Sequence, residues 1–256
     1  MLTPYQLNNL LVFDLETAPI YSSYEEMEQN EPQLAQHWEK RCDFYWRKYD
    51  DSENKSKQQL FDERAALEPE FLRIVAGSFA TITKDDTLNE YSYKLVNIYG
   101  TDERAILSHC VKIINYVDKS FSKPLLFGHN ISEFDIPVLG RRIIINNVVS
   151  ELPNMLKLAN KKPWEVQMME LNGIWSFASF KNKFTSLDLI CYVLGVESPK
   201  QETEAKQVSE IYYNDNDTYR IAKYCGEDVK STLKCAATLA DIQINNEISE
   251  EKFFEK

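Results

Sequence analysis

Glycine is scarce in this chain. Seven residues among 256 exclude a flexible or low-complexity protein, and no internal repeat is visible. Long apolar runs are missing as well: no segment approaches the ~18–20 residues that a membrane-spanning helix requires, so no membrane association is expected. Met1 to Leu10 lacks a positive region followed by a long apolar stretch, and no signal peptide is expected there. The five cysteines (Cys42, Cys110, Cys191, Cys225, Cys235) include no CxxC pair. Their odd number and scatter point to reduced, mostly buried thiols and a cytoplasmic setting. Histidine is limited to three widely separated residues, which argues against a His/Cys zinc site. Excess positive charge is lacking too, the formal net charge being −11. Proteins that coat nucleic acid non-specifically rely on a basic face, because counterion release supplies that affinity. A nucleic-acid enzyme of this composition must instead grip a short terminal stretch, with local lysines and bound cations supplying the attraction.

What is present suits one α/β domain over residues 1–256, with room for a modest insertion. Leu10, Leu11, Val12 and Phe13 form an apolar run leading into Asp14, Leu15, Glu16 and Thr17, a buried strand with acids at its end. From about 21 to 70 the chain turns polar and charged, and Leu34, Trp38, Cys42, Tyr45 and Tyr49 recur at helical steps. This stretch reads as a helical insertion. Strands are expected at 73–82 and 88–99 with a turn at 84–86, and again at 124–127. Helices are expected at 103–117, 134–145, 186–194 and 218–242. Strands followed by interleaved helices make a layered α/β fold.

Asp14 and Glu16 are two apart on a strand and share one face. Alone, the pair reads equally as a solvated strand terminus. Asp135 opens a helix, where the macrodipole favours an acid whatever its role. Tyr224 and Asp228 are four apart on the long C-terminal helix and also share a face. Taken together, four carboxylates and a phenol stand beside apolar runs that anchor them. Clustered carboxylates repel one another and desolvation raises their pKa values; two divalent cations relieve this, and such a pair serves in-line phosphodiester displacement. Oxygen ligands point to Mg²⁺ or Mn²⁺ rather than zinc.

Three motifs in order carry a resemblance to the DEDD superfamily of 3′–5′ exonucleases, in its tyrosine-bearing branch. They are Val12–Thr17 (VFDLET), Phe127–Arg142 (FGHNISEFDIPVLGRR) and Tyr224–Asp228 (YCGED). The second, through Asn130, Phe134, Asp135, Pro137, Leu139 and Arg142, is similar to the proofreading domain of family-B DNA polymerases. The resemblance spans Leu11 to about Leu239, and the 21–70 stretch departs from it. It implies a ribonuclease H-like fold, a five-stranded mixed sheet of order 3-2-1-4-5 flanked by helices. It also implies a 3′–5′ exonuclease acting on single-stranded DNA ends, with RNA or short oligoribonucleotides as the alternative substrate and a dormant nucleic-acid-binding module as the alternative class. Asp14, Glu16 and Asp228 would hold the metal that activates water, Asp14 would bridge to a second metal supported by Asp135, and Tyr224 would orient the attacking water. Leu15 (through its backbone), Thr17, Asn130 and Phe134 match positions that contact the terminal nucleotides.

Other residues have a bland reading beside the functional one. Phe134 could equally be core. Arg142 reads as a solvated helix arginine or a phosphate contact, His129 as structural or substrate-proximal, and Asp188 as a helix-start acid. The aromatics Trp38, Phe44, Tyr45, Trp46 and Tyr49 could stack single strands, though at helical spacing they read first as a packing stripe. Trp164, Trp175 and Phe180 stand among Lys157, Lys161, Lys162, Lys181 and Lys183, a basic lip or a solvated face.

Overall fold

The computed structural model describes residues 2–49, 55–85, 87–149, 152–158, 161–162, 165–177, 184–198 and 205–255. Trp164, Phe180, Lys181 and Lys183 lie outside the described residues.

A short helix α1 (Pro4–Leu7) precedes β1 (Leu10–Pro19), which is followed by three helices, α2 (Tyr24–Asn30), α3 (Pro32–Lys48) and α4 (Lys57–Arg64). Strands β2 (Leu72–Asp85) and β3 (Glu90–Gly100), helix α5 (Glu103–Ser120), β4 (Leu125–Gly128) and α6 (Asp135–Ile145) come next. Then follow β5 (Met168–Glu170), α7 (Leu171–Trp175), α8 (Leu187–Leu194), α9 (Ala205–Glu210), α10 (Thr218–Leu239) and β6 (Ile244–Phe254). Among the described residues the sheet has six strands, in the order β5-β4-β1-β2-β3-β6. β2 runs antiparallel to β1 and β3, and the other pairs are parallel. Read from β3 to β5 this is the expected 3-2-1-4-5 order.

Six strands replace the expected five because β6 adds to the outer edge of β3. Its sequence, INNEISEEKFF, is too charged to read as a strand, yet charge suits an edge that must not recruit another chain. Tyr93 donates to Glu247 at 2.7 Å and Lys94 pairs with Glu250 at 3.0 Å. The turn also falls later than expected, since β2 continues through Asp85.

Strand alternation sorts β1 between two cores. Leu11, Phe13 and Leu15 pack with α5 and α6 through Ile106, Cys110, Ile114 and Leu139. Leu10 and Val12 point the other way, into Val229, Leu233 and Ala236 of α10. The helices between β1 and β2 have their own core, in which Trp38 lies 5.4 Å from Phe61 and 5.0 Å from Phe71, both edge-on. Trp38, Cys42 and Tyr45 are buried there, as a packing stripe requires. No helix among the described residues is long and apolar enough to cross a membrane.

Candidate active site

Asp14 and Glu16 continue the Leu10–Val12 row, so period-two geometry turns both acids toward α10. α10 answers with Tyr224, Cys225 and Asp228. Its close approach depends on Gly226, where a Cβ would come within 2.9 Å of the Asn97 side-chain oxygen on β3. Cys225 Sγ lies 3.3 Å from the Asp14 carbonyl oxygen and 3.5 Å from its Oδ2. One ligand atom from each of Asp14, Glu16 and Cys225 fits within a mutual 4.8 Å.

Asp135 arrives from the next strand over. β4 ends at Gly128, and a Cβ there would sit 2.2 Å from Ile131 Cγ2 and 2.9 Å from the Phe13 carbonyl oxygen. Only glycine permits the tight exit, after which Asn130 takes a left-handed φ of 66°, a conformation asparagine tolerates. The turn delivers Asp135 to the first position of α6, where its Oδ1 accepts the Leu15 N–H at 3.0 Å. Asp135 is buried while Asp14, Glu16 and Asp228 are half-buried. A cleft of about 180 Å³ is lined by Asp14, Asp228, Tyr224, His129 and Asp188, among others.

The electrostatics of the four acids point one way. Burial raises Asp14 well above the ordinary carboxylate range, and Asp135, Glu16 and Asp228 push it further. Glu16 is raised by burial, then by Asp228 and Asp135. Burial lifts Asp135 to about 7 against the pull of its backbone hydrogen bonds, and lifts Asp228 to about 6 against a hydrogen bond from Tyr224. The Tyr224 phenol is raised by burial and by Asp228, Glu16 and Asp14, which keeps it protonated. Among the described residues, the dominant influences on the four carboxyls include no lysine or arginine. Such a set repels itself and suits a hard divalent cation.

Leu15 is buried and its N–H is engaged by Asp135. Thr17 is buried and its hydroxyl donates to the Ala66 carbonyl at 2.7 Å. Phe134 is half-buried against the α5–α6 core. Arg142 is neither solvated nor free for a phosphate: it is 5% exposed and bonds both oxygens of Glu103, at 2.8 and 2.6 Å. Asp188 sits in the first turn of α8, accepts from Ser198 at 2.5 Å, and also faces the cleft. His129 lines the cleft beside Phe184, their ring centroids 5.5 Å apart; burial lowers its pKa. Lys157 and Lys161 bond Asn154, at 2.9 and 3.2 Å. Sequence reasoning passed over Cys225 as one more scattered thiol. The available signal was its position, three residues before Asp228 and so on the same side of α10.

A family model described as a predicted 3′–5′ exonuclease related to the exonuclease domain of PolB matches residues 65–253. The match takes in Asp135, Tyr224 and Asp228 and leaves out β1 and the helices α2 to α4. Among solved structures, the family B DNA polymerase from the hyperthermophilic archaeon Pyrobaculum calidifontis is similar over 91% of this chain, with 16% identity and a TM-score of 0.48. The similarity takes in 24% of that polymerase's length. No curated protein matches the chain.

Proposed function

The chain belongs to the family of predicted 3′–5′ exonucleases related to the exonuclease domain of PolB, and from that premise we propose a metal-dependent enzyme that removes nucleotides from the 3′ end of single-stranded DNA. Asp14, Glu16 and Asp228 would hold one divalent ion, and Asp14 with Asp135 a second, Mg²⁺ or Mn²⁺ in each case. Bound there, the ions supply a lowered water pKa and stabilise negative charge on the phosphate and the leaving 3′-oxygen.

The chain's own residues do the positioning. Asp135 fixes the middle of β1 through the Leu15 N–H, so the strand that carries Asp14 and Glu16 is tied to α6. Cys225 donates to Asp14 from the opposite side, which limits the rotamers open to that carboxylate. Tyr224 keeps its proton at neutral pH and would orient the attacking water with its hydroxyl. Asn130 and Phe134 would meet the terminal bases, and base stacking on an aromatic is worth ~1–3 kcal/mol.

The observation that carries this reading is the convergence of acids from β1, α6 and α10, each raised by the others' charge or by burial. Its test is digestion of 3′- and 5′-labelled single strands, duplexes and RNA with Mg²⁺ or Mn²⁺. The expected products are ladders shortened from the 3′ end of single-stranded DNA, lost in Asp14→Ala and Asp228→Ala. Undiminished activity in either variant removes the assignment, and equal ladders on RNA move the substrate to the oligoribonucleotide alternative.

A further inference from the structure

The helices α2 to α4 lie outside the family match, and their core explains most of their aromatics but not all. Trp38 and Tyr45 are buried, whereas Phe44, from the same helix, is 39% exposed. His37, Arg41, Phe44 and Lys48 fall at steps of four, three and four residues along α3, with Lys40 beside Arg41; all but the half-buried Arg41 are exposed. The charge pattern is unusual for a chain of net charge −11.

His37, Lys40, Arg41 and Phe44 form one wall of a groove of about 700 Å³, and Arg141 of α6 lies on its other side. Among the described lining residues, Lys40, Arg41 and Arg141 outnumber the acids Glu68 and Glu70. Arg41 is held by Glu68 at 2.5 Å, and Arg141 stands 4.0 Å from Glu70. Arg41 and Lys48 stand over the Phe44 ring at 5.3 and 5.0 Å, so the exposed aromatic has cations on hand. An aromatic face among cations along a groove is the arrangement that tracks a single strand: phosphates meet the charges and a base meets the ring.

The groove is also close to the acids. Its lining residues Glu68, Glu70 and Phe71 begin two positions after Ala66, whose carbonyl is bonded by Thr17 of β1. Arg141 stands six residues after Asp135 on α6, about 9 Å along the helix axis. A strand whose 3′ end reaches the four carboxylates would continue over this groove.

We propose that the α3–α6 groove holds the single strand 5′-ward of the cleaved nucleotide, with phosphates on Lys40 and Arg141 and a base on Phe44. The proposal rests on the exonuclease reading above for its choice of ligand. It assigns to residues outside the family match the attraction that net charge cannot supply.

Binding measured in EDTA isolates the groove, because the acidic cluster without cations repels phosphate. The probes are 5′-fluorescein single strands of three and about twelve nucleotides, read by anisotropy across a salt series with the full chain. The longer strand is expected to bind more tightly than the shorter. The double variant Lys40→Gln/Arg141→Gln should weaken the longer strand about tenfold and shrink its advantage. The slope of log affinity against log salt should fall by about 1.4, or ~0.7 for each lost single-strand phosphate contact. Phe44→Ala should weaken binding about tenfold with the slope unchanged, because stacking is not ionic, and Phe44→Trp should restore it. Lys119→Gln, at the far end of α5, controls for charge alone. Variants that bind like the wild type, no advantage of length, or an equal loss on blunt duplex would each overturn the groove. Nuclease ladders are scored separately. Cleavage by variants with unaltered binding sinks the groove and spares the exonuclease, whereas salt-sensitive binding without cleavage does the reverse.

Discussion

Neutralising Asp135 should stabilise the metal-free protein at alkaline pH while abolishing its activity. The carboxyl is buried, and burial holds its pKa at about 7 against 3.8 for an ordinary aspartate. Between those values the folded chain binds a proton that the unfolded chain has released, so stability falls as pH rises through the window. About three pH units at about 1.4 kcal/mol each set a ceiling of about 4 kcal/mol on the loss by pH 8. Asparagine keeps the shape and can still accept the Leu15 N–H, but it carries no charge to bury. Asp135→Asn in EDTA should therefore exceed the wild type by about 1–4 kcal/mol at pH 8. At about 2–4 °C per kcal/mol for a chain near this length, the midpoint rises by several degrees. Near pH 4 to 5 the wild-type carboxyl is itself protonated and the two midpoints should converge. The assay is thermal unfolding of both proteins across pH 4–9, with activity measured in Mn²⁺. A variant no more stable than the wild type at pH 8, or a gap that persists at pH 4.5, would refute the account of a frustrated acid cluster.

Divalent metal should reverse the same frustration: Mn²⁺ at a hundredfold excess over its dissociation constant raises stability by about 2.7 kcal/mol, and Asp14→Ala should lose most of that rise in a melting titration. Arg142→Met should cost about 3–5 kcal/mol in urea unfolding because it strands the nearly buried Glu103, while Glu103→Met/Arg142→Met should recover most of it; equal losses in both would remove the ion-pair argument. Gly128→Ala should destabilise by about 1–3 kcal/mol, since the new methyl has no room beside Ile131 and the Phe13 carbonyl, and its nuclease ladders should weaken with the displaced turn.

Legibility tracked the physics of each segment. Strands β1, β2, β3 and β4 and the helices α5, α6, α8 and α10 were readable because each buries an unbroken apolar face, such as Ile106, Cys110 and Ile114 on α5. β6 was not, since its pairing with β3 is lined by charges instead of apolar residues. β5 has only three residues and offers no period at all. Among single side chains, Arg142 misled because helical position says nothing about an acid from another helix: Glu103 is remote in sequence and adjacent in space. Thr17 has a hydroxyl suited to a substrate, but its carbonyl partner on Ala66 exists only once the helices α2 to α4 have returned the chain to β2. The acidic motif was visible because its residues sit beside apolar runs. The thiol of Cys225 was not, because its meaning depends on the strand across from it.

The three helices between β1 and β2 leave and rejoin the sheet on neighbouring rungs. Pro19 stands opposite Leu72, and the Ile20 N–H bonds the Phe71 carbonyl at 2.8 Å. In ladder terms this is a hairpin with a very long loop, and doubling a loop's length adds only about 0.6 kcal/mol of closure entropy. The excursion can therefore be lengthened, shortened or exchanged for a tight turn without altering which residues of β1 and β2 face each other. A nuclease so built can trade one strand-gripping appendage for another while its carboxylates stay in register.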